Sequence, residues 1–523
     1  FKQKTAYEIG VRLVGSEMCI RDRNSRMYKA RPRMCRRSPR LSQNNMSRLA
    51  PVGRFLVGAA ISLSLPPYGL WPLAPIGLGI FLKMSRNGNR ARRLFDAWSL
   101  WVGYFAVALV WMIDLTVPGW IVAIPVQALI MALPMAFIPS DGVARSIAVP
   151  SALVVGEAVR WTVPFGGVPM SNLALGPIDT YLVDVVRVGG ALLLVGSIGI
   201  VAVAVEGALS ARLRTVLGAL VAIVVLIAVA QISPTGHRVS VINATVVQAG
   251  GALGTRAATS DQMAVFDRHL EAVTSQPLDT DLMVWSESSV TVKAPLETSG
   301  QLATIAQLAT DLDTVIVANF SEIDGEHFRN ASVSVDPHSG LAARFDKVHL
   351  VPFGEYIPLR SFVENFADLS LIPREALPGK GPGILDSSLG PIGNAISFEV
   401  YFPERVRSGM RSGARILTNP TLASSYTTSL VPAQSLASAR LRAIETDRWV
   451  LQASTTGYSA VISAAGLVVL RSDLREQTVL TGTVELRSGN TWATELGKLP
   501  IFFLATLLLA GSALFDIRRR PST

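Results

Sequence analysis

The chain has 523 residues, a formal net charge of +10, half of its residues apolar and only 16% charged. Soluble globular chains are nearer a quarter charged, so this composition excludes an all-soluble protein and a disordered one. The charge sits at one end, with 13 Lys+Arg against 3 Asp+Glu in residues 1–50 and 35 of each in residues 51–523, which removes the basis for a nucleic-acid-binding protein. Both cysteines, Cys19 and Cys35, lie in that same stretch. The body of the chain therefore has no disulfide, no cysteine-ligated zinc and no cysteine nucleophile.

Residues 1–23 show neither helical nor strand periodicity and resemble translated sequencing-adapter sequence. They are set aside from fold reasoning, with Met27, Met34 or Met46 as the expected start. Residues 24–50 form a basic flank (Arg31, Arg33, Arg36, Arg37, Arg40) expected on the cytoplasmic side. Eight apolar stretches then have the roughly 17–25 residues of a bilayer-spanning helix, or approach it. They lie near 51–67, 69–84, 96–116, 119–139, 145–163, 183–208, 214–232 and 499–516. Pro66-Pro67 leaves the first two open as two short spans or one re-entrant pair. The expectation is a transmembrane domain of about seven spans over 51–232, a last span at 499–516 and a tail at 517–523. Trp98, Trp101, Trp111, Trp120 and Trp161 are expected as interface anchors. With a cytoplasmic N-terminus, Lys83, Arg86, Arg90, Arg92, Arg93, Arg145, Arg212, Arg214 and Arg518–Arg520 all fall on inner loops. The positive-inside rule then places 233–498 outside the cytoplasmic membrane.

Within 233–498 short β-rich runs alternate with amphipathic stretches, the pattern of a layered α/β domain. Strands are predicted at Arg238–Gln248, Leu282–Trp285, Val315–Phe320, Ala331–Val335, Gly393–Ser397, Arg415–Leu417, Val450–Ala453 and Ala460–Ser463. A helix capped by Ser260 would carry Met263, Phe266, Leu270 and Val273 on one face, and another is predicted at Ala433–Asp447.

Three strand ends carry charge. They are Asp281-Leu-Met-Val-Trp-Ser-Glu287, then Asp346-Lys347-Val-His-Leu-Val-Pro-Phe-Gly-Glu355-Tyr-Ile-Pro, then Ile396-Ser397-Phe-Glu399-Val-Tyr-Phe-Pro403-Glu-Arg. In this order they resemble the nitrilase (carbon–nitrogen hydrolase) superfamily. With the flanking spans, Phe165-Gly-Gly-Val-Pro169, Val247-Gln248, Arg329-Asn-Ala-Ser332, Pro378-Gly379 and Arg440-Leu-Arg-Ala-Ile-Glu445, the chain is similar to the bacterial apolipoprotein N-acyltransferases from about residue 50 onward. The resemblance implies a multi-pass helical membrane domain plus an α-β-β-α sandwich. It further implies transfer of an acyl chain from a membrane phospholipid, through an acyl-enzyme, to the α-amine of the diacylglyceryl-cysteine of lipoproteins. Glu287 matches the general base, Lys347 the oxyanion lysine and Glu355 the second glutamate. The cysteine of the family's Cys-Tyr-Glu reads Ser397-Phe398-Glu399, and Ser286 stands where the family usually has Pro.

Two readings of Ser397 stay open at the level of sequence: an oxygen nucleophile, or a small residue in a vacated cysteine site. The second would leave a paralogue that binds lipoprotein or phospholipid without turnover. A membrane-tethered amidase is a third reading, disfavoured by the spans. Glu399, Phe398, Phe353 and Tyr356 are expected against the substrate. The loops Pro352–Ile372 and Pro420–Val431 are expected at the bilayer surface, with Phe353, Tyr356, Phe362, Phe366 and Tyr426 as lipid contacts. His349, on the strand face of Lys347, is read as packing rather than as a base. No metal or organic cofactor is implied, and no phosphate-binding glycine loop is present.

Overall fold

The computed structural model describes residues 40–519 apart from 87, 252–261, 276, 366–373, 424, 425 and 427. The predicted Ser260 cap and Phe366 lie outside the described residues. The apolar half contains α1 (Arg40–Ser62), α2 (Leu73–Met84), α3 (Arg90–Ala108), α4 (Val117–Met135), α5 (Gly142–Arg160), α6 (Val186–Leu209) and α7 (Leu213–Gln231). Pro66 and Pro67 fall in the turn between α1 and α2. They cannot donate the N–H that a continuing helix needs, so the run divides into two helices.

Five described helices are long and apolar enough to cross a membrane: Val117–Met135, Gly142–Arg160, Tyr181–Leu209, Leu213–Gln231 and Leu499–Arg518. The start of α3 is too charged to qualify, with Arg90, Arg92 and Arg93 in its first turn. Three of the tryptophans expected at the interface are instead interior. Trp101, Trp111 and Trp161 are buried. The Trp161 indole donates to Glu157 Oε1 (3.1 Å), and the Trp101 ring meets Tyr104 edge-on with centroids 5.3 Å apart. The apolar ring bodies fill the gaps between helices, which in this bundle outweighs the affinity of the indole N–H for the headgroup layer.

The α/β half runs β1 (His237–Gln248), α8 (Gln262–Thr274), β2 (Leu282–Val284), β3 (Val290–Lys293), α9 (Gly300–Leu312), β4 (Val315–Asp324), β5 (His327–Asp336), β6 (Gly340–Asp346), the single turn α10 (Arg360–Val363), β7 (Glu375–Ala376), β8 (Ile384–Leu385), β9 (Ile392–Asn394), α11 (Pro403–Arg411), β10 (Leu417–Thr421), α12 (Leu430–Thr446), β11 (Val450–Ser454), β12 (Ala460–Ile462), β13 (Val468–Arg471) and β14 (Thr478–Ser488). The chain then closes with α13 (Trp492–Leu496) and α14 (Leu499–Arg519). One sheet has the order β14-β1-β2-β4-β5-β6, with β3 added on β4 and β7 on β5. The other has the order β13-β12-β11-β10-β9-β8.

Alternation along the strands sorts the core into layers. Ala244, Val246, Leu282, Val284, Val315 and Val317 of the first sheet meet Ile392, Leu451, Ala453 and Val461 of the second. The intervening residues Met283, Trp285, Ile316, Ala318 and Phe320 face α8 and α9. On its far side the second sheet packs Leu417, Val450, Ala460 and Ile462 into one cluster with α11, α12 and the apolar helices. The result is an α-β-β-α sandwich whose last helical layer is continuous with the membrane bundle. From Leu49 onward the chain is one compact unit.

That continuity is stitched by polar groups. Arg440 pairs with Asp179 (2.5 Å), and Gln434 Oε1 accepts from the Ser171 N–H (3.0 Å). Buried Glu445 holds Arg407 (3.0 Å) and Arg442 (2.8 Å). A Cβ on Gly190 would lie 2.8 Å from Glu445 Oε1, and Gly190 has a φ of 66° where the helical run from Val186 kinks. Only glycine allows both that backbone and that approach.

The strand predicted at Arg415–Leu417 runs instead over Leu417–Thr421, through Pro420. Pro420 faces the β9 side, and pairing with β9 stops at Thr418, so proline removes no ladder hydrogen bond there. The strand predicted through Ser397 stops at Asn394, and Ser397 opens a 3-10 turn.

Candidate active site

Lys347 follows β6 directly, and its N–H donates to the Asn330 carbonyl of β5 (2.8 Å), which fixes where the side chain leaves the sheet. Its side chain is 1% exposed, and its ammonium lies 3.0 Å from Glu287 Oε1 and 3.0 Å from Glu355 Oε1. Asn330 Nδ2 donates to the same two oxygens at 2.9 and 3.1 Å. Asn330 is oriented in turn by Asn319, whose Nδ2 donates to Asn330 Oδ1 (2.9 Å) and whose Oδ1 accepts the Ser288 N–H (2.7 Å). Burial opposes the lysine's charge, but Glu287 and then Glu355 overcome it and hold the ammonium above its ordinary range. Lys347 is therefore a fixed positive charge at neutral pH, fitted to stabilise an oxyanion and unfitted to act as a base.

Three of the expected catalytic residues, Glu287, Lys347 and Glu355, thus meet directly. Ser397 joins them through β10. Its side chain accepts from Thr421 Oγ1 (3.3 Å), while the Thr421 carbonyl accepts the Glu287 N–H (3.4 Å). Ser397 has a φ of 52°, a left-handed conformation uncommon for a residue with a Cβ, and strain of this kind clusters at functional turns.

Glu399, expected against substrate, is fully buried. It accepts the N–H groups of Val348 (3.1 Å), His349 (3.1 Å) and Ile396 (3.0 Å) and pairs with Arg405 (3.2 Å). It ties the turn after Lys347 to the turn carrying Ser397. Phe398 stacks edge-on against Phe402 (5.0 Å). Phe353 packs edge-on against Phe165 (6.2 Å), and the Tyr356 hydroxyl donates to the Phe165 carbonyl (3.3 Å). The His349 ring sits on Phe402 with centroids 3.8 Å apart and meets the Gly166 carbonyl at 3.2 Å, in keeping with its reading as packing. The glycine-rich stretch after α5 therefore braces the loop that carries Glu355. Tyr426 meets Trp111 of the bundle (5.7 Å), and burial together with the Glu287 charge pushes its hydroxyl above its usual range. Phe362 is exposed.

Asn319 and Thr421 were not singled out in the sequence, and Asn330 entered only as part of a motif. The one local signal is at Asn319, a polar side chain that follows the apolar run Val315–Ala318.

Beneath Glu287 lies a second polar group. His269 of α8 is fully buried, stacks on Trp285 (5.0 Å) and meets Ser286 Oγ at 3.1 Å. Ser286 in turn meets Thr455 Oγ1 (2.8 Å), whose hydroxyl donates to the Glu287 carbonyl (3.2 Å). Burial lowers the imidazole from its ordinary 6.5 to about 4. The unfolded chain thus takes up a proton near pH 6.5 that the fold refuses until about pH 4. The stability difference is absent above 6.5 and grows as the pH falls through this window, to about 3 kcal/mol. His269→Gln is expected to flatten the fall of the thermal midpoint between pH 6.5 and 4, measured in detergent micelles. An unchanged slope would show that the imidazole does not titrate this way.

A sandwich that holds a buried Lys between two Glu carboxylates, with a strained Ser turn linked to them through β10, defines a class. Residues 227–494, just over half of the chain, match the carbon-nitrogen hydrolase family, and the chain belongs to it. Residues 57–205 match the apolipoprotein N-acyltransferase N-terminal domain, and the two together make the chain a member of the apolipoprotein N-acyltransferase family, a family of membrane acyltransferases. The chain is 26% identical over 509 residues to the apolipoprotein N-acyltransferase of Shewanella oneidensis, covering 90% of this chain and 96% of that one. It is 31% identical over 249 residues to the enzyme of the same name from Mycolicibacterium smegmatis, covering 46% and 41%. Among solved structures it is similar to Saccharomyces cerevisiae Nit3, a member of branch 10 of the nitrilase superfamily, at 22% identity with a TM-score of 0.37, covering 50% of this chain and 95% of Nit3.

Proposed function

We propose that the protein transfers an acyl chain from a membrane phospholipid to the α-amine of the N-terminal diacylglyceryl-cysteine of lipoproteins, with Ser397 as the nucleophile. The observation that carries this is the buried Lys347 ammonium held between Glu287 and Glu355, next to the strained Ser397 turn. Glu287 takes the Ser397 proton as Oγ bonds to the ester carbonyl carbon. Lys347 stabilises the resulting oxyanion. The tetrahedral species collapses as the C–O bond to glycerol breaks, and the proton passes from Glu287 to that glycerol oxygen. In the second half the lipoprotein amine attacks the oxyester, and Ser397 leaves with a proton returned through Glu287. A serine hydroxyl is far less acidic than a thiol, and an oxyester is a slower acyl donor to an amine than a thioester. Turnover is therefore expected to be slow.

The domain faces outward from a bacterial cytoplasmic membrane, in line with the basic residues at the other ends of the spans. Contacts of Phe165, Phe353, Tyr356, Trp111 and Tyr426 between bundle and sandwich support entry of the lipid along that seam. The test is a detergent-solubilised preparation incubated with phosphatidylethanolamine and a synthetic diacylglyceryl-lipopeptide. A lipopeptide mass gain of one acyl chain, dependent on the phospholipid, is expected. Tight lipopeptide binding with no mass gain would replace this reading with that of a binding paralogue.

A further inference from the structure

Thr421 is the last residue of β10, paired with Ser454 of β11 and buried. Its hydroxyl donates to Ser397 Oγ (3.3 Å), and its carbonyl accepts the N–H groups of Glu287 (3.4 Å) and Thr455 (3.3 Å). One residue thus touches the nucleophile through its side chain and the base through its backbone. The sheet fixes where its hydroxyl sits.

A serine hydroxyl has one hydrogen and two acceptor sites, and it rotates to suit its surroundings. With one acceptor site filled by the Thr421 hydrogen, the Ser397 hydrogen points away from Thr421 and is left for a base. A cysteine reacts as a thiolate with no hydrogen to aim, so a donor there can steady its charge but orients no proton. We propose that Thr421 is a positioning residue matched to an oxygen nucleophile, orienting the Ser397 hydroxyl for proton removal by Glu287. This rests on the assignment of Ser397 as nucleophile. Thr421 keeps its own proton throughout. The bond formed is Ser397 Oγ to the acyl carbon, the bond broken is that carbon to the glycerol oxygen, and the Ser397 proton ends on the glycerol oxygen.

The test follows acyl-enzyme formation by intact mass in phosphatidylethanolamine mixed micelles, for the parent, Thr421→Val and Thr421→Ser, each also carrying Ser397→Cys. Thr421→Val is expected to slow acylation of Ser397 about tenfold at saturating lipid, the worth of one net hydrogen bond, with the half-saturating lipid concentration unchanged. Thr421→Ser retains the hydroxyl and is expected to restore the rate. In the Ser397→Cys background, where there is no hydroxyl hydrogen to orient, Thr421→Val is expected to slow acylation less than it does with Ser397 in place. Equal slowing in both backgrounds would reduce Thr421 to a structural residue and overturn the proposal. So would an unaffected Thr421→Val rate on an acylated Ser397, which leaves the nucleophile assignment standing. No adduct on the parent, with an adduct on Ser397→Cys, would overturn that assignment and the role of Thr421 with it.

Discussion

Glu287→Gln is expected to lower acyl transfer by about 10²–10⁴-fold, the span of a lost general base. The amide oxygen can still accept from Lys347 and Asn330, which both donate to Glu287 Oε1. Lys347 keeps Glu355 as a counter-charge. The substitution therefore removes proton transfer while leaving the hydrogen-bond pattern largely in place. A single-turnover rate paired with a thermal midpoint separates the two effects. A small change in midpoint with a collapsed rate is the expected pair, and an undiminished rate would rule out Glu287 as the base.

Lys347→Met strikes stability as well as rate. It leaves buried Glu287 and partly buried Glu355 with no ammonium between them, and breaking a buried pair costs about 3–5 kcal/mol. It also removes an oxyanion donor, worth about 10²–10³ in rate. The pH dependence discriminates further. In the parent the lysine is held above its ordinary range, so its stabilising contribution is fully present below pH 10.5 and is lost only as the pH rises through the higher folded-state value. Between pH 5 and 8 that contribution is flat. The variant should therefore show a lower thermal midpoint than the parent throughout that range, together with the lower single-turnover rate. An unchanged midpoint would show that the ammonium does not hold Glu287 and Glu355 together.

Much of this was legible in the sequence because burial leaves a period. β1, β2 and β4 alternate between two apolar layers, and the predicted strands overlap the observed ones there. The helix at Leu430–Thr446 ends where Asp447 takes a left-handed conformation, one residue before the predicted end. β14 was missed although it pairs with β1 over eleven residues. Gly482 interrupts its pattern, and much of the strand is partly exposed, so hydropathy carries little signal. β10 was displaced because Asn419-Pro420 reads as a turn, and only the early end of β9 makes a proline tolerable there. Glu287 and Lys347 stand out as charges just past strand ends, and Glu355 as a carboxylate in the patterned stretch that follows Lys347. Asn330, Asn319 and Thr421 act through hydrogen bonds to them, and which strands lie side by side is a property of sheet order that local sequence does not encode. The tryptophans show the same limit: an indole reads alike whether it anchors at a headgroup or fills a gap between helices.

The most direct measurement is the intact mass of the purified protein after incubation with phosphatidylethanolamine, followed by peptide mapping of any adduct, with Ser397→Ala beside it. A gain of one acyl chain located on Ser397 and absent from Ser397→Ala is the predicted result. An unmodified parent, or an acyl chain that persists in Ser397→Ala, would contradict an acyl-enzyme at Ser397.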